Sequence, residues 1–103
     1  MISKVKSVYE ELKYANADEM LIKARLVTEI ADELKLRDLT QAEASELLGF
    51  SQPKLSNLLR GQFRGISERK LMDCLTRLGR DIEIVVKPAP RSRREGKITV
   101  AVA

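Results

Sequence analysis

The chain contains no histidine and no tryptophan, one cysteine, two tyrosines and two phenylalanines. Each shortage removes a class of function. Without histidine there is no imidazole base and no imidazole metal ligand. The single Cys74 makes neither an internal disulfide nor a thiolate cluster, which fits a reducing cytoplasm. No apolar run approaches the roughly 18 residues of a membrane span, and the N-terminus lacks a secretory pattern. A phosphate-binding glycine loop and a dinucleotide fingerprint are also missing. Acidic neighbours such as Glu10–Glu11 and Asp32–Glu33 read as solvated helix faces. An enzyme is therefore not expected, nor a cofactor, nor a metal. With so few aromatics the core must come from Leu, Ile, Val and Ala. At 103 residues one small domain is expected, cytoplasmic and with no membrane partner.

What the chain does have is concentrated between Thr40 and Gly61, TQAEASELLGFSQPKLSNLLRG. Thr40 and Glu43 have the spacing of a capping box, with the hydroxyl on the third backbone N–H and the carboxylate reaching back. Ala42, Ala44, Leu47 and Leu48 would give that first helix its apolar face. Gly49 suits the left-handed residue that ends a helix, and Phe50 would plug the corner. Ser51 caps a second helix with Pro53 in its first turn. Leu55, Leu58 and Leu59 would face inward and leave Gln52, Lys54, Ser56 and Asn57 outside. Carboxamides donate and accept together at an adenine edge, lysine reaches guanine acceptors or phosphate, and serine suits either. The competing reading is a solvated polar face. The agreement of caps, turn and polar face favours a DNA-reading helix from about Gln52 to Arg60.

Charge follows the same division. Residues 17–50 carry a net −4 and residues 51–80 a net +5, flanked by +1 before and +2 after. No acid lies between Glu46 and Glu68, a gap that holds Lys54, Arg60 and Arg64. A polyanion approaches that surface without meeting a carboxylate.

The surrounding chain completes a mainly helical plan. Met20, Leu21, Ala24, Val27, Ile30, Ala31 and Leu34 recur at helical spacing and predict a helix over 18–36. Ser67 predicts an N-cap for a helix with Leu71, Met72, Cys74, Leu75 and Leu78 buried, ending at Gly79. From Asp81 the period changes to two: Ile82, Ile84 and Val86 predict one strand, and Ile98, Val100 and Val102 a second. A two-stranded ribbon is marginal alone, so pairing with a second copy competes with a local hairpin. The basic stretch Arg91–Lys97 reads either as a tail that adds phosphate affinity or as a solvated loop. In residues 1–16, Ile2, Val5, Val8, Tyr9 and Leu12 share a helical face that would dock on the domain or on a partner.

LTQAEASELLGFSQPKLSNLLRG resembles the lambda-repressor-like, Xre-type helix-turn-helix family. With LGRDIEIVVKP after the last helix, residues 17–88 resemble its HigA-like branch of antitoxins from type II toxin–antitoxin modules. The resemblance implies a helical bundle over 17–80 and a C-terminal dimerisation segment over 81–103 that pairs through Ile82, Ile84 and Val86. It implies a homodimer on a palindromic double-stranded operator, with a cognate toxin as a further partner. It also supports phosphate contacts from Gln41, Arg60, Gln62 and Arg64; Ser51 is expected to join them, beside the base contacts expected from Gln52, Lys54, Ser56 and Asn57. The alternatives are a stand-alone Xre-type regulator without a toxin and a protein-interaction module on the same scaffold.

Overall fold

The computed structural model describes residues 2–103, with side chains from residue 17 onward. Four helices follow in order: α1 Ile2–Leu36, α2 Gln41–Leu48, α3 Gln52–Leu59 and α4 Glu68–Arg77. The helix expected over 18–36 is the second half of a single 35-residue α1. Neither glycine nor proline interrupts the chain between Leu12 and Asp18, so nothing ends the helix there. The expected apolar face of residues 1–16, and its docking, lie outside the described side chains.

α1 packs mainly on α4, and α2 and α3 pack on each other against that pair. Leu26, Val27, Ile30 and Leu34 come from α1, at spacings of three and four, and meet Leu48, Leu55, Leu58, Leu71, Cys74, Leu75 and Leu78 in one core. Fully burying a leucine contributes roughly 1.5–3 kcal/mol. Leu48, Leu55, Leu58 and Leu71 are each wholly buried, so three of the four helices are fastened by large apolar groups.

Three assignments to the apolar face are corrected. Leu21 is 65% exposed, and Leu26 takes a core position instead. The phase of α1 is set by Val27, Ile30 and Leu34, and Leu21 falls beside that stripe. On α2, Ala42 and Leu47 are exposed while Ala44, Ser45 and Leu48 are buried. Ser45 can be buried because its hydroxyl donates to the Ala42 carbonyl at 3.0 Å.

The ends of the short helices follow their local sequence. Thr40 and Glu43 form the full capping box, and Gly49 ends α2 with φ 75°. The Ser51 and Ser67 hydroxyls accept from the third N–H of α3 and α4. Between α1 and α2, Asp38 takes a left-handed φ of 53°, which aspartate tolerates better than most residues.

The C-terminal strands are not formed within the single chain. Among the described residues neither 82–87 nor 98–102 is a strand. A strand needs a neighbour for its backbone groups, and the two segments do not supply one to each other. The local hairpin is thus not formed in this structure. Ile84 and Val86 stay 78% and 93% exposed. Val100 instead lies half-buried against the core, where the Arg25 guanidinium donates to its carbonyl at 3.3 Å.

Candidate nucleic-acid interface

α2 and α3 are joined by only Gly49, Phe50 and Ser51. The glycine reverses the chain, Phe50 is buried under the corner, and Ser51 opens α3. Leu55 and Leu58, both wholly buried, fix which side of α3 faces out. At about 3.6 residues per turn, Pro53, Ser56, Asn57 and Arg60 share the side opposite those leucines. Pro53 was not among the expected surface residues, yet the spacing puts it on this side. Gln52 and Lys54 are exposed and flank it, whereas Ser56 and Asn57 are half-buried.

The side chains on this surface are partly preorganised. The Arg60 guanidinium donates to the Asn57 carboxamide oxygen at 2.6 Å. That leaves the Asn57 amide hydrogens to face a ligand. It also holds Arg60 against the helix rather than in free solution. The Lys54 ammonium lies 5.7 Å from the Phe50 ring centre, within cation–π range. The Ser51 hydroxyl accepts from the Lys54 backbone N–H at 3.3 Å, so its own hydrogen remains available to an anion.

The loop after α3 is anchored along its length. Gly61, with φ 98°, lets the chain turn back. The Gln62 backbone N–H donates to the Asn57 carbonyl at 2.9 Å, which closes the end of α3. Phe63 and Ile66 are buried, and Gln62 and Arg64 between and beside them are exposed. The pattern QFRGI shows those two plugs in hindsight, as apolar residues three apart in a polar loop. Gln41 is exposed at the first position of α2, next to the capping box. The nine expected DNA contacts thus fall on three consecutive pieces of backbone: the start of α2, α3, and the loop that follows.

Several basic residues are occupied elsewhere. Lys70 donates to the Leu48 carbonyl at 3.1 Å and Arg77 to the Leu47 carbonyl at 3.2 Å. These are the last carbonyls of α2, which cations at a helix C-terminus satisfy. Arg80 bridges Glu29 at 3.1 Å and Glu33 at 3.2 Å on α1. Arg37 spans to the Leu78 carbonyl. Two acids of α1 are therefore paired with Arg80, just beyond α4, and two bases of α4 are taken up by the end of α2. Lys54, Arg60 and Arg64 lie exposed on the stretch that carries no acid between Glu46 and Glu68. The Arg80 ion pairs and the Lys23 bond to the Arg64 carbonyl were invisible to motif reading, because they join residues distant in sequence.

Among the described residues no group of acids and cysteine is placed to hold a metal. Burial pushes the Cys74 thiol pKa up, against the opposing pull of Lys70 and Arg77. A buried, protonated thiol is a poor nucleophile.

Comparison with known proteins agrees with this geometry. Residues 8–87 match the model of a helix-turn-helix domain family. A solved structure that carries the name of an XRE family transcriptional regulator is 38% identical, with a TM-score of 0.77, over 84% of this chain and 98% of that chain. No curated protein matches the sequence.

Proposed function

The chain belongs to the helix-turn-helix family of XRE-type regulators, and on that premise we propose that it is a sequence-specific DNA-binding repressor. The observation that carries the reading is the outer side of α3. It presents Ser56, Asn57 and Arg60, with Gln52 and Lys54 beside them, on a helix whose opposite side is locked in the core. α3 enters the major groove, where Gln52, Lys54, Ser56 and Asn57 read base edges. Gln41, Ser51, Gln62 and Arg64 hold the flanking phosphates, and Arg60 reaches the backbone at the end of the helix. Phosphate contacts set register, and base contacts set sequence.

The regulator acts as a homodimer on a two-fold operator. Exposed Ile82, Ile84 and Val86, alternating on an unpaired extended segment, support pairing with a second copy. The more specific role is that of an antitoxin that represses its own operon. It is supported by the resemblance of LGRDIEIVVKP to the HigA-like branch.

Mobility shift on DNA from upstream of the gene, against a scrambled duplex and across a salt series, tests the DNA-binding reading. The expected result is tighter, salt-dependent binding to the upstream duplex. Equal binding to both duplexes would refute sequence-specific readout. Co-purification with the product of a neighbouring small gene tests the antitoxin role. DNA binding with no such partner would leave a stand-alone regulator.

A further inference from the structure

Lys23 is a charged side chain in the interior, only 4% exposed. A buried ammonium is costly unless it is paired and hydrogen-bonded. Here it has two partners. It donates to the backbone carbonyl of Arg64 at 2.8 Å and lies 3.3 Å from the Glu19 carboxylate. The carbonyl belongs to the loop after α3, 41 residues away in sequence. A methionine would fill the same space at far lower desolvation cost. The charge therefore calls for a reason other than packing.

The reason lies in the turn that Lys23 touches. The Ile66 N–H donates to the Phe63 carbonyl at 3.1 Å, which makes Phe63–Ile66 a β-turn with Arg64 and Gly65 at its centre. Neither central residue has a positive φ; the left-handed glycines are Gly49, Gly61 and Gly79. That fits a type I turn and excludes type II, which needs a positive φ at the third position. Glycine at that third position nevertheless makes type II accessible. The two forms differ by a flip of the central Arg64–Gly65 peptide. Lys23 selects between them, since a flip would carry the Arg64 carbonyl away from the buried ammonium.

The peptide is trans, so its N–H points opposite to its C=O. With the Arg64 carbonyl turned in to Lys23, the Gly65 N–H is turned out. Gly65 is exposed, with open space where a Cβ would be. We propose that Lys23 is a positioning residue that holds the Gly65 backbone N–H outward beside the Arg64 side chain, so that the two together grip a DNA phosphate. The role rests on the DNA-binding reading above and deepens it. No side chain at position 65 takes part, so the contact leaves no trace in the pattern of basic residues.

The test is fluorescence anisotropy of the full chain on a labelled duplex from upstream of its gene, over a salt series. Lys23→Met should remain folded by circular dichroism and bind roughly tenfold more weakly, as the loss of one charge-assisted contact implies. Gly65→Ala disfavours the positive φ of the flipped turn. The double variant Lys23→Met/Gly65→Ala should therefore recover most of the lost affinity, which a purely structural defect would not do. A folded Lys23→Met with wild-type affinity would overturn the proposal, and so would a double variant as weak as Lys23→Met. If Lys23→Met does not fold, the wild-type protein decides. The Gly65 amide resonance should move strongly downfield on adding the duplex, and an unmoved resonance would overturn the role. A wild-type chain that binds no duplex, specific or scrambled, would instead refute the DNA-binding reading and this contact with it.

Discussion

At the scale of single residues, Asn57 and Arg64 separate the two jobs of the surface. Asn57 sits mid-helix opposite Leu55 and Leu58, with its carboxamide oxygen already held by Arg60. That bond leaves the amide hydrogens for a base edge. Asn57→Ala should lose about 1–3 kcal/mol of discrimination at particular base pairs, measured as the change in relative affinity over a set of single-substitution operators. Arg64 is exposed in a loop and reaches no base in this scheme. Arg64→Ala should weaken all duplexes alike and reduce the salt slope by about 1. Cys74 is wholly buried, and its desolvation raises the thiol pKa. It should react with a thiol reagent only on unfolding, and rapid labelling of the native protein would contradict its place in the core.

At the scale of elements, α2 and α3 are too short to persist without caps and packing. Thr40→Ala removes the hydroxyl that accepts from the Glu43 N–H and should cost about 1 kcal/mol of stability in denaturant unfolding. The Thr40 backbone N–H, and then its hydroxyl, hold the Glu43 carboxyl below the ordinary glutamate range. The folded-state pKa is thus lower than the unfolded one. That contribution is present above the ordinary glutamate range and is lost as pH falls from there through the lower folded-state pKa. Glu43→Gln should therefore flatten the acid limb of the stability profile, and an unchanged limb would show that the box is not maintained in solution. These caps were legible in the sequence because each involves residues three apart. The αL glycine and the core leucines were legible for the same local reason. The contacts of Lys23 with Arg64 and of Arg80 with Glu29 and Glu33 were not, since they span 41 to 51 residues. Leu21 misled because several apolar residues on one helix do not by themselves fix where the stripe is centred. Ile82–Val86 has the period of a strand, but a period reports which face is apolar and not whether a neighbour exists.

At the scale of the whole molecule, the fold spends its charges unevenly. Glu29 and Glu33 neutralise Arg80, while Lys70 and Arg77 close the end of α2. What is left over is the basic stretch of α3 and its following loop, which carries no acid of its own. The segment after Arg80 leaves this body with Ile84, Val85 and Val86 exposed, an arrangement that a second copy would cover. Ile84→Lys combined with Val86→Lys should shift the protein from dimer to monomer in sedimentation equilibrium and leave the helical circular dichroism unchanged. A dimer that survived both changes would place the interface elsewhere. The central claim is that the outer side of α3 reads sequence. The most direct test is the ratio of dissociation constants for the upstream and scrambled duplexes, compared between wild type and Asn57→Ala at one salt concentration. The account predicts a ratio well above one that falls roughly five- to hundredfold in the variant. An identical ratio in both proteins would contradict it.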